Sequence, residues 1–141
     1  TDRALKDGAT EVDMVMHVGR LKQGDSAYVE QDIAQVAGLV REQADQAVLK
    51  VILETCMLDA DELSLACRIA VNAGADFVKT STGFAQEGAT IEAVQRMRHA
   101  VGEHFGVKAS GGIRDRTTAL AMIEAGANRL GSSSGLTILQ T

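Results

Sequence analysis

Ala75-Asp76-Phe77-Val78-Lys79-Thr80-Ser81-Thr82-Gly83 is the stretch whose reading decides the fold. Its first residues have the make-up of a short buried strand, and they lead into three hydroxyl residues and a glycine. Lys79 stands where the strand ends. A lysine is seldom left inside a fold unless a counter-charge pairs with it or chemistry uses it. The same position also suits a strand-end lysine that lays its stem along the sheet and keeps its ammonium in water. The flanking sequence decides between the two.

Upstream, Asp59 or Asp61 starts a helix whose Leu63, Ala66, Ile69, Ala70 and Ala73 face inward and which Gly74 ends. Val48 to Glu54 reads as a strand. Before it, Asp25 or Ser26 caps a helix running to about Ala44, with Ile33, Val36, Ala37 and Val40 in one apolar stripe. Gly19 to Gly24 reads as a loop, and Glu11 to His17 as the first strand, after a helix end that Gly8 closes. Downstream, Thr90 caps a helix carrying Ile91, Val94, Met97 and Val101. Val107 to Ser110 is a strand entering Gly111-Gly112, and Asp115 caps a helix that Gly126 ends. Arg129 to Gly131 is the fifth strand, entering Ser132-Ser133-Ser134-Gly135, and Leu136 to Leu139 begins a helix.

Strands and helices alternate strictly, which predicts an α/β fold of parallel strands joined by right-handed crossovers. Gly8-Ala9, Gly74-Ala75 and Gly126-Ala127 repeat one junction, a helix end followed by a strand. Such units suit a (β/α) barrel or an open doubly wound sheet. The first strand is not followed by Gly-x-Gly-x-x-Gly, which argues against dinucleotide binding.

Composition narrows the function classes. With 45% hydrophobic and 23% charged residues, the 141-residue chain is expected to pack one core, a single domain over residues 1–141. The net charge of −5 and the lack of a long basic run argue against nucleic acid and membrane-surface partners. Tyr28, Phe77, Phe84 and Phe105 are too sparse for a base-stacking platform. No apolar run has membrane-span length, and Thr1 to Lys6 lacks a signal-peptide core. Cys56 and Cys67 fit neither a zinc pattern nor a disulfide framework, so reduced thiols in a cytoplasmic protein are expected.

Three successive strands each carry a lysine: Lys50, Lys79 and Lys108, spaced 29 and 29 apart. Parity puts Lys79 on one face with Phe77 and Ser81, and Lys108 with Ser110, while Asp13 shares a face with Val15 and His17. On a barrel interior these groups converge. Clustered ammonium groups are costly unless paired or shifted toward the neutral amine, and the neutral amine is what attacks a carbonyl. The cluster therefore reads as a Schiff-base site, with Lys79 neutralised by its neighbours and Asp13 offsetting charge and relaying protons. Thr80 to Gly83, Ser110 to Gly112 and Gly131 to Ser134 read as turns whose backbone N–H groups cradle a phosphate. His17, His99 and His104 read as a loop-edge residue and two helix-surface residues, with no metal-ligand spacing.

Glu11-Val12-Asp13-Met14-Val15, Leu49 to Cys56, Ala73 to Phe84, Gly106 to Arg114 and Leu130 to Gly135 together resemble deoxyribose-phosphate aldolase, in order and through nearly the whole chain. The resemblance implies a class I aldolase of the (β/α)8 TIM-barrel family that splits 2-deoxy-D-ribose 5-phosphate into D-glyceraldehyde 3-phosphate and acetaldehyde. It implies Lys79 as the Schiff-base lysine, Lys108 as the lysine that perturbs it, Asp13 in the proton relay and Lys50 as a further lysine of the site. Thr82, Gly83, Gly111, Gly112, Gly131, Ser133 and Ser134 match positions that hold the phosphate. No metal or cofactor is implied, since the iminium polarises the substrate. Family chains run to roughly 220 residues or more on eight strands. Five units are read here, strands 4 to 8, so the expectation is an incomplete barrel or one completed by a second copy in a homodimer. The other reading left open is an inactive phosphate-binding remnant.

Overall fold

The computed structural model describes residues 1–43 and 47–140. Five strands, β1 (Glu11–Val15), β2 (Val48–Ile52), β3 (Phe77–Lys79), β4 (Gly106–Ser110) and β5 (Arg129–Gly131), form one sheet in chain order. Every neighbouring pair is parallel, as the alternating pattern predicts. The helices are α1 (Asp2–Lys6), α2 (Val18–Lys22), α3 (Ser26–Gln43), α4 (Ala60–Asn72), α5 (Ile91–Val101), α6 (Arg116–Glu124) and α7 (Gly135–Leu139). Local chemistry starts several of them. Asp59 and Glu62 close a capping box on α4, and the Thr90 and Asp115 side chains accept from the first turns of α5 and α6.

Several boundaries differ from the sequence reading. A short helix, α2, replaces the loop expected over Gly19 to Gly24. His17 caps it by accepting from the Arg20 N–H at 3.4 Å, and Leu21 buries into the core. That takes His17 out of the first strand. β2 stops at Ile52, because Glu54 adopts a left-handed backbone. His104 lies in the bend between α5 and β4 rather than on a helix. The end assigned to α3 at Ala44 falls outside the described residues.

The two faces of the sheet differ in kind. Leu49, Val51, Val78, Val107 and Ala109 are fully buried on the helix-covered face, in one cluster with Val29, Ile33, Ala66, Val94 and Met97. Consecutive helices α3 to α6 pack against one another along that face. The other face carries Glu11, Asp13, Lys50, Phe77, Lys79, Lys108 and Arg129, whose side chains bond or stack with one another. In a flat sheet four spacings of about 4.8 Å would part β1 from β5. Yet Arg129 of β5 reaches Glu11 of β1, and Lys108 of β4 reaches Asp13. The sheet therefore curls into a trough with the charged face inside, the wall of a TIM-type barrel.

One glycine makes room on that inner face. A Cβ at Gly106 would come within 2.3–2.6 Å of three Phe77 ring atoms. The Arg129 guanidinium in turn stacks on that ring, 5.1 Å from its centre. Gly106→Ala is expected to destabilise the protein by about 1–3 kcal/mol through overpacking. Denaturant unfolding measures it, and Phe77→Leu in the same chain should recover part of the loss.

Candidate active site

Each of four strands delivers one ionisable side chain to the same point. Asp13 comes from β1, Lys50 from β2, Lys79 from β3 and Lys108 from β4. Registers explain the meeting: Asp13 pairs with Lys50 across β1 and β2, and Lys79 with Lys108 across β3 and β4. Asp13 Oδ2 accepts from Lys79 Nζ at 2.7 Å and from Lys108 Nζ at 3.3 Å, while Oδ1 accepts from Lys50 Nζ at 3.0 Å. One carboxylate thus holds three ammonium groups.

The three lysines are not equivalent. Lys50 is only 1% exposed and reaches Glu11 as well, at 2.6 Å. Glu11 also accepts from Arg129, so a second carboxylate and a second strand edge anchor the buried lysine. Lys79 and Lys108 instead face a cavity of about 460 Å³. Lys108 is pushed below its ordinary value, first by burial, with Lys79 and Lys50 as repelling cations and Asp13 opposing them. Its surroundings thus drive the Lys108 amine toward neutrality, beside Lys79 and Asp13. Burial works against ionised Asp13, but hydrogen bonds from Lys79 and Lys50 and the charges of Lys79 and Lys108 hold it well below the usual range.

The loops complete the cavity. Thr82 and Gly83 after β3, Gly111 and Gly112 after β4, and Gly131 and Ser133 from β5 onward all line it. Asp13 and Lys50 sit outside the lining, and so does Ser134, at the N-terminus of α7. The hydroxyls bind the loops together more than they face the space. Thr80 Oγ1 donates to the Ser110 carbonyl and accepts from its N–H, Ser110 Oγ donates to the Ser81 carbonyl, and Ser132 Oγ donates to the Ile113 carbonyl. Thr82 spends both its N–H and its hydroxyl on Glu54. Where the β3 and β4 loops cross, Gly88 and Gly111 touch backbone to backbone, and a Cβ on Gly88 would lie 2.2 Å from the Gly111 carbonyl.

Sequence reasoning missed Glu11, Arg129 and Glu54. Glu11 was recoverable, because it lies two residues before Asp13 and shares its face; Arg129 likewise shares a face with Gly131. It also passed over Ile113 and Arg114, which line the cavity. Among the described residues no three His, Cys, Asp or Glu side chains converge as a metal site requires.

Glu11 lies well below its ordinary value of 4.5, at about 2, because Lys50 and then Arg129 donate to it. A carboxylate held down in the folded state adds stability that is complete above 4.5 and is lost as pH falls toward 2. Asp13 acts in the same direction. The denaturant midpoint is therefore expected to drop through that window, and Glu11→Gln to flatten the drop while lowering stability at neutral pH. A wild-type midpoint constant through the window would contradict this network.

The model of the DeoC/LacD family of aldolases matches residues 1–141. A deoxyribose-phosphate aldolase of Brevibacillus brevis is 56% identical over 139 residues, 99% of this chain and 61% of that protein. One from Thermoanaerobacter sp. is 57% identical over 137 residues, again 61% of its length. Among solved structures, a deoxyribose phosphate aldolase of Aeropyrum pernix, described as a unique tetramer, superposes with a TM-score of 0.85 at 38% identity. It is matched over 96% of this chain and 56% of its own. The chain thus spans about three-fifths of the length of the curated relatives it matches.

Proposed function

The chain belongs to the DeoC/LacD family of aldolases, and from that membership we propose that residues 1–141 are one aldolase barrel domain cleaving 2-deoxy-D-ribose 5-phosphate. The products are D-glyceraldehyde 3-phosphate and acetaldehyde, and the reaction is reversible. The observation that carries the reading is the meeting of Lys50, Lys79 and Lys108 on the single carboxylate of Asp13. Four cations, Arg129 included, face two carboxylates on the inner face, so the trough is positive inside a chain of net charge −5. That excess suits a phosphorylated substrate.

In this mechanism Lys79 Nζ, as the neutral amine, attacks the C1 aldehyde carbon. Its proton passes to the Asp13 and Lys108 pair, which lies within hydrogen-bond reach of one another. Loss of water from the carbinolamine leaves an iminium, which draws in the electron pair of the breaking C2–C3 bond. The C3 hydroxyl gives up its proton to the same pair as its carbon leaves as the new aldehyde. The enamine is then protonated at carbon, and water hydrolyses the iminium to release acetaldehyde and Lys79. The backbone around Gly83, Gly111, Gly112, Gly131 and Ser133 holds the phosphate in the cavity, with Thr82 and Ser134 at its margins. Lys50 fixes Asp13 from below.

Self-association into a homodimer belongs to the same proposal. β1 and β5 are the outer strands of the described sheet, and Leu136 and Leu139 of α7 are more than three-quarters exposed. A cytoplasmic location agrees with two free thiols, Cys56 and Cys67.

Borohydride reduction in the presence of acetaldehyde is expected to leave a covalent adduct on Lys79. Lys79→Leu should abolish it, and Lys108→Met should slow its formation about 10²–10⁴-fold. Folded protein that takes up no adduct would overturn the aldolase reading. Light scattering at low micromolar concentration is expected to give twice the chain mass, and a folded monomer would remove the dimer from the proposal.

A further inference from the structure

Glu54 is the one non-glycine residue with a positive φ among the described residues, at φ 55 and ψ 63. A Cβ disfavours that conformation, so the surroundings must hold it there. The backbone shows how. The Leu53 N–H donates to the Lys79 carbonyl at 2.9 Å and the Thr55 N–H to the Thr80 carbonyl at 3.0 Å. Two residues are used on the β2 side for one on the β3 side, so the ladder carries a bulge centred on Glu54. A bulge at a barrel rim re-aims a side chain. The carbonyl of Ser81, which a regular ladder would use next, accepts instead from Ser110 Oγ at 2.8 Å.

The re-aimed side chain is a carboxylate only 5% exposed. Among the described residues no lysine, arginine or histidine forms a salt bridge with it. Its partner is Thr82: the hydroxyl donates to Glu54 Oε2 at 2.5 Å, and the N–H lies 3.3 Å from each oxygen. A carboxylate only accepts, so the Thr82 hydroxyl proton must point at Glu54. A hydroxyl lone pair is then left for the Phe84 N–H, which donates to it at 3.2 Å. Between them sits Gly83, at φ 92, lining the cavity beside Lys79.

We infer that Glu54 is a positioning residue that acts through Thr82: it sets the polarity of the Thr82 hydroxyl and thereby the conformation of the turn that receives the substrate's phosphate. This rests on the aldolase reading above and gives Thr82 a different part in it, a brace for Gly83 rather than a phosphate ligand. Glu54→Gln keeps the shape but offers an amide N–H₂ to the same hydroxyl, so the polarity is no longer imposed. Thr82→Val removes the hydroxyl from the other end, while Thr82→Ser retains it.

The test compares kcat and KM for 2-deoxy-D-ribose 5-phosphate with those for unphosphorylated 2-deoxy-D-ribose, in wild type and the three variants. Glu54→Gln and Thr82→Val are expected to raise KM for the phosphorylated substrate about tenfold, the scale of a lost charge-assisted hydrogen bond. Glu54→Gln should leave the sugar's kinetics and kcat little changed, and Thr82→Ser should keep KM for the phosphorylated substrate nearer wild type than Thr82→Val does. A merely structural role would lower both substrates' turnover together, and that outcome overturns the inference, as does an unchanged preference in both variants. If Glu54→Gln fails to fold, Thr82→Val alone decides. A wild type that forms no borohydride adduct overturns the reading of the site and this role with it, whereas an adduct with an unchanged preference overturns only the role of Glu54.

Discussion

One carboxylate makes the inner face of this sheet possible. Without Asp13, the Lys50, Lys79 and Lys108 ammonium groups would lie side by side with no counter-charge at their meeting point, at a cost that grows as water is excluded. With it, each ammonium has a bond of 2.7 to 3.3 Å to an anion that they jointly keep ionised. The arrangement still carries more positive than negative charge. That imbalance makes the cluster chemically useful, since Lys108 is driven toward the neutral amine while Asp13 remains a proton-accepting partner within reach. Lys50 shows the complementary solution. Shut away from water, it is held by two carboxylates, and Arg129 secures the second of them.

The loops above the charged floor follow a different logic. Their hydroxyl groups look in the sequence like ligands for a phosphate, but in the fold most of them tie one loop to the next. The Thr80 hydroxyl satisfies both backbone groups of Ser110, Ser132 closes on Ile113, and Thr82 is taken by Glu54. What these ties leave toward the cavity is backbone, at Gly83, Gly111 and Gly112, which have positive φ. Rigid side-chain bracing with an amide-lined surface suits an anion better than mobile hydroxyls do, because the ordering is completed before the ligand arrives.

This division explains what could be read in advance. The three lysines recur at a constant interval because the two βα units that separate them have nearly the same length, and parity alone then places them on one face. The convergence on Asp13 follows from those two regularities and the parallel order. Glu11 and Arg129 obeyed the same parity, but their contact joins residues 118 apart and depends on the curl of the sheet, which a strand pattern does not encode. α2 was hidden because Gly19 and Gly24 mimic a loop, while the cap that starts it is a histidine accepting through Nδ1, outside the usual capping residues. Glu54 left no local trace at all: its backbone is unfavourable for its type, and only the partner on the next loop accounts for it.

That last case sets the order in which this site is built. The curl of the sheet brings β1 within reach of β4 and β5, and the ion pairs across the trough then hold the curl. The helix-covered face supplies the driving force, since its aliphatic side chains are fully buried whatever the charged face does. Hydrophobic burial can therefore sustain a trough whose inside is costly on its own. The bulge at Glu54 draws on the same reserve. A left-handed glutamate is tolerable because Leu53 before it is fully buried and Thr55 after it is bonded to Thr80, just past β3. Strain and excess charge sit together at the open end of the sheet, where the chain's stability is spent on geometry that a ligand would meet.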